Sequence, residues 1–97
     1  MTELQVIARY TISAGHEGEV LELLPRLAEA SRGEPGALAF EIYRQLGDDR
    51  NIVLLERYVS PEAFAAHRET PHFKDLVLGQ IIPRLDSRAV ETYEVTG

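Results

Sequence analysis

The chain has 97 residues, 44% hydrophobic and 27% charged, with a net charge of −6 and no cysteine. That length suits one domain, residues 1–97, around a single core. The acidic balance speaks against nucleic acid and anionic membranes as partners, because both reward a basic face. Without cysteine there are no disulfides, thiol nucleophiles or thiolate metal sites. No apolar run approaches the roughly 20 residues that span a bilayer, and the N-terminus lacks the basic-then-apolar order of a secretory signal. The expected location is the cytoplasm.

Leu4, Val6, Ala8, Tyr10 and Ile12 alternate with mostly polar residues, the pattern of a strand. Gly15–Gly18 reads as a turn. Val20, Leu24, Leu27 and Ser31 then recur at helical spacing, with Pro25 inside the helix as an expected kink and Gly33 as its stop. Glu34-Pro35-Gly36 reads as a type II turn. Ala37–Gln45 is a second strand, residues 46–51 a polar loop, and Ile52–Val59 a nearly continuous apolar third strand. Ser60-Pro61 is an N-cap followed by a first-turn proline, opening a short helix to about Glu69. Thr70-Pro71 repeats the signal and opens another to about Ile82, ended by Pro83. Ala89–Val95 is the last strand.

The order β-α-β-β-α-α-β is the split β-α-β arrangement of ferredoxin-like α+β domains, with the second crossover broken in two. An antiparallel sheet of this kind carries its helices on one face. The third strand nevertheless puts Ile52 and Leu54 on one side and Val53 and Leu55 on the other. Two apolar faces and one layer of helices predict a homodimer packed through the uncovered sheet face.

The chemistry-bearing residues concentrate in His67-Arg-Glu-Thr-Pro-His72-Phe-Lys74. The two histidines are five apart across a helix break, which is not the i, i+4 pair of a metal helix. A zinc or iron site would also need carboxylates from elsewhere, so no metal is expected. His72 is the second residue of a fresh helix. The positive helix end favours neutral imidazole, which can act as a base, and free backbone N–H groups there can hold an anionic oxygen. The plainer alternative is that His72 satisfies a nearby backbone group. His67 lies one turn after Phe64 and is its neighbour across the break. Glu41 and Glu56 sit mid-strand on a hairpin, and the register decides whether they face each other as an acid/base dyad, pair with an arginine, or point apart. Tyr43 and Tyr58 are strand tyrosines that either line a pocket or simply pack.

Taken together, "SRGEPGALAFEIYR", "VLLERYVSPEAFAAHRETPHFK" and the closing strand resemble the antibiotic biosynthesis monooxygenase family. These are dimeric α+β barrel proteins that include small quinol monooxygenases. The most specific element is H-x-x-T-P-H-x-K at His67, Thr70, Pro71, His72 and Lys74. The resemblance implies oxygenation of a small phenol, hydroquinone or anthrone by O₂ without metal, flavin or haem. It makes His72 and His67 the base and its orienting partner, and Tyr58, Glu56, Glu41 and Tyr43 the substrate-binding candidates. The haem-degrading branch fits poorly: there is no Trp, the only Asn is Asn51 in a loop, and Val77 stands where the ligating histidine is expected. Two alternatives stay open. One is an isomerase that moves a proton on a phosphorylated hydroxy-ketone and carries a similar histidine string. The other is a non-catalytic dimeric ligand-binding or stress protein.

Overall fold

A computed structural model describes residues 2–96; Met1 and Gly97, the ends of the expected domain, lie outside the described residues. The elements follow the expected order. They are β1 (Thr2–Ile12), α1 (Glu17–Arg32), β2 (Ala37–Arg44), β3 (Asn51–Tyr58), α2 (Pro61–Arg68), α3 (Phe73–Ile81) and β4 (Leu85–Thr96). The four strands form one antiparallel sheet in the order β2-β3-β1-β4. The fold is therefore ferredoxin-like α+β, with the helices on one face.

The alternation read along β1 is the packing pattern. Leu4, Val6, Ala8, Tyr10 and Ile12 are buried beneath the helices, as are Ile52, Leu54, Glu56 and Tyr58 of β3 and Phe40 of β2. Val20, Leu24 and Leu27 of α1 and Phe73, Val77 and Ile81 of α3 close the core above them. Among the described residues, the opposite sheet face carries no helix. It presents half-buried Ile7, Val53 and Leu55, with Leu38 and Tyr93 about half exposed. The helices also stop short of β4. Val90 pairs with buried Ala8, yet it is 37% exposed.

Several local expectations changed on folding. α1 runs unbroken through Pro25, which lies on its solvent side where water can meet the carbonyl that lost its donor. Gly33 ends the helix in right-handed geometry (φ −79°), with its N–H bonded to Ala30 O, rather than as a left-handed cap. The turn at Glu34 is closed by Ala37 N–H to Glu34 O. It is not type II, because positive φ among the described residues is confined to Gly15 and Gly47. Gly36 is needed for space instead: a Cβ there would lie 2.5 Å from Ala63 Cβ of α2. α3 is wound as a π-helix, and it buries Phe73, Leu76, Val77 and Ile81 against the core. Pro83 lies in a single 3₁₀ turn, Ile82–Arg84, that feeds directly into β4. The last strand consequently begins at Leu85, four residues before its expected start at Ala89.

Candidate functional site

The junction between α2 and α3 is built by Thr70. Its hydroxyl donates to His67 O at 2.7 Å, closing α2, and accepts from Phe73 N–H at 3.2 Å, capping the next helix. Lys74 N–H bonds to Thr70 O. Two of the N–H groups at this helix end are thus already engaged, which weakens it as an anion site.

What organises the two histidines is a carboxylate that sequence spacing did not reveal. Glu34, on the turn between α1 and β2, brings one oxygen, Oε2, to 2.8 Å from His67 Nδ1 and 2.6 Å from His72 Nε2. As a carboxylate it only accepts, so both rings present N–H to it. Glu34 is 33 residues from His67, and no periodicity links the two. The only local signal was an acidic residue placed directly before the Pro-Gly pair of a turn.

His67 is buried, 2% exposed, inside an aromatic cage. The rings of Phe40, Tyr58, Phe64 and Phe73 lie 5.2–6.1 Å from its own. Burial pushes its pKa below the usual imidazole value, and Glu34 opposes that shift. With Nδ1–H held by Glu34, the free lone pair is on Nε2, which lies 3.9 Å from Glu56 Oε1. Glu56 is in turn 5% exposed and accepts from the Tyr58 hydroxyl at 2.6 Å. Loss of solvent raises its pKa from the usual 4.5 to about 7, against the Tyr58 hydrogen bond and the Arg88 charge. Burial first, then the Glu56 charge, pushes the Tyr58 phenol far above its normal range.

His67 and Glu56 line a small chamber of about 10 Å³ with Phe40, Leu54, Phe73 and Val90, enough for about one water-sized molecule. Its rim includes Arg88, which pairs in register with Tyr10 on the stretch of β4 that the helices leave open. His72 is not among the residues lining the chamber and stands outside it, behind Glu34. Glu56 faces Phe40 across the β2–β3 ladder, whereas Glu41 faces Leu55. The two glutamates therefore point to opposite faces and form no dyad. Glu41 accepts from the Tyr43 hydroxyl at 2.8 Å. Glu41 lies in a groove of about 400 Å³ on the helix-free face. Tyr43 lies in another of about 330 Å³ beside α1. Neither groove contains a histidine. The structure thus brings together His67, His72, Glu56 and Tyr58, adds Glu34, and leaves Glu41 and Tyr43 apart. Among the described residues, the cluster that could hold a metal is Glu34, His67 and His72, whose ligand atoms lie within 4.8 Å of one another.

The family model for antibiotic biosynthesis monooxygenases matches residues 4–77, which contain this whole cluster. The chain belongs to the antibiotic biosynthesis monooxygenase family. Two members of similar sequence carry names of the same kind. "Putative monooxygenase YcnE" of Bacillus subtilis is 30% identical over 59 residues, covering 61% of this chain and 62% of that protein. "Putative monooxygenase Rv0793" of Mycobacterium tuberculosis is 32% identical over 68 residues, covering 70% and 66%. The chain thus matches just under two thirds of the length of these relatives. The solved structure of Rv0793 superposes with a TM-score of 0.83 at 26% identity, covering 98% of this chain and 94% of that one. PA3566 of Pseudomonas aeruginosa shares the fold at a TM-score of 0.90 and 24% identity, covering 100% and 97%. Among the described residues no helix is long and apolar enough to cross a membrane.

Proposed function

We propose that this member of the family oxidises a small phenol, hydroquinone or anthrone with O₂, without a metal or organic cofactor, and that His67 is the base. The observation that carries the reading is the Glu34–His67–Glu56 geometry. Glu34 holds Nδ1–H and leaves Nε2 basic beside an apolar chamber. Transfer of the substrate's hydroxyl proton to Nε2 forms an imidazolium, which the Glu34 carboxylate stabilises. The resulting electron-rich anion can pass an electron to O₂. The chamber is too small for an aromatic ring. The ring therefore stands at the open rim on β4, over Val90, with its oxygen pointing inward and Arg88 offsetting the new negative charge. His72, first in line for this role from the sequence, holds Glu34 in place from outside. A second copy packs on the helix-free sheet face, where Ile7, Val53 and Leu55 are only half covered.

The test is oxygen uptake with a panel of hydroquinones and anthrones and no added cofactor. Expected is uptake that His67→Ala lowers by roughly 10²–10⁴-fold, the usual size of general-base catalysis. No uptake above buffer with any member of the panel refutes the proposal. A loss on His72→Ala as large as on His67→Ala returns the base to His72.

A further inference from the structure

The carboxylate within the histidine string, Glu69, pairs with Lys74, and the fold brings a different one to the two histidines. Glu34 Oε2, His67 Nδ1 and His72 Nε2 converge from three separate elements. From this we infer that these three residues bind one divalent transition-metal ion of the zinc class, and that the ion switches the site off. The switching half rests on the proposed role of His67; the binding half does not.

Two imidazoles and one carboxylate are the donor set of open zinc sites, with bonds of about 2.0–2.2 Å and a fourth position left for water. It does not suit magnesium or calcium, which require more oxygen ligands. The present contacts of 2.6 and 2.8 Å are hydrogen bonds. Ligands around a tetrahedral ion stand roughly 3.3 Å apart, so Glu34 draws back by about half an ångström or slightly more, and the two ring nitrogens, which lie within 4.8 Å of one another, close toward each other by up to about 1.5 Å. It sits on a turn, and its side chain and that of His72 are 12% and 22% exposed, which leaves a path for the ion and for the water.

Occupancy changes the tautomer. The ion takes the lone pair of His67 Nδ1, and the proton that was there moves to Nε2. The ring stays neutral, and no proton is gained or lost. Nε2–H then points toward Glu56, and the lone pair that faced the chamber no longer exists. The same exchange at His72 leaves its proton on Nδ1. A bound ion and a basic Nε2 on neutral His67 therefore exclude each other.

Titration calorimetry with zinc chloride, and the visible ligand-field absorption on adding cobalt(II), read the binding half on the full chain. Expected is one ion per chain, a tetrahedral-type cobalt spectrum, and affinity at least about tenfold weaker in both Glu34→Gln and His72→Ala. His16→Ala, which removes the exposed histidine beside Glu19, leaves affinity unchanged. Absence of binding at high micromolar metal overturns the proposal. So does binding that Glu34→Gln and His72→Ala leave within twofold, or that His16→Ala abolishes. If Glu34→Gln does not fold, His72→Ala alone decides. Nitrogen-15 NMR of the His67 ring reads the switching half without any turnover: zinc must move the proton from Nδ1 to Nε2, and an unchanged tautomer refutes it. Zinc inhibition of oxygen uptake, reversed by chelator, is the further expectation where uptake exists. A chain that binds zinc with this tautomer change but consumes no oxygen refutes the monooxygenase proposal and leaves the metal site standing.

Discussion

Glu56→Gln tests the electrostatics of the site through stability. Glu56 is nearly fully buried, and its pKa rises from the usual 4.5 to about 7 on folding. Between those values the folded chain holds a proton that the unfolded chain has released. The associated stability is fully present below the unfolded pKa and is lost as pH rises through the folded one. Each pH unit between the two pKa values is worth about 1.4 kcal/mol, so the whole span is worth about 3.5 kcal/mol. Of this, about 2.5 kcal/mol falls between roughly pH 5 and pH 8. The substituted glutamine is uncharged throughout, and its carbonyl can still accept from the Tyr58 hydroxyl. The depressed pKa of His67 has the opposite sign, stabilising above the unfolded value and losing that stability as pH falls. It is present in both proteins and largely cancels in the comparison. Urea unfolding at fixed protein concentration should therefore show the wild type losing about 2.5 kcal/mol relative to Glu56→Gln over that range. Two parallel stability–pH curves refute the assignment of Glu56 as a buried carboxyl that is protonated below neutral pH.

Gly36→Ala places a methyl 2.5 Å from Ala63 Cβ. It should cost about 1–3 kcal/mol by overpacking, measured by urea unfolding, with much of the loss recovered in the double variant Gly36→Ala, Ala63→Gly. Thr70→Ala removes both the α3 cap and the hydroxyl that closes α2. A loss of about 1–2 kcal/mol is expected, together with a changed ring-proton signal of His67 by NMR, since the junction sets its position against Glu34. Leu55→Glu puts a charge in the middle of the helix-free sheet face. Sedimentation should show a dimer at micromolar concentration in the wild type and a monomer in the variant; a monomeric wild type removes the proposed sheet-face dimer.

The sequence by itself determined the elements and their order. The period-two alternation of Leu4 to Ile12, the near-continuous apolar Ile52–Leu55, and the Ser60-Pro61 and Thr70-Pro71 caps are local signals, and local sterics and hydrogen bonding act on them directly. The concentration of chemistry around His67 and His72 was legible for the same reason. Residues close in a chain stay close in any fold. Only the tertiary structure decided which groups meet. One residue of register sends Glu41 to one face and Glu56 to the other, and no local preference fixes that choice; the burial of Phe40 and Leu54 does. Glu34 reads in the sequence as a turn residue, and its role depends on three elements closing around it. The pKa of Glu56 depends on how much water the helices exclude. Periodicity encodes a residue's face, but contact, solvent exclusion and proton placement arise only when distant segments pack.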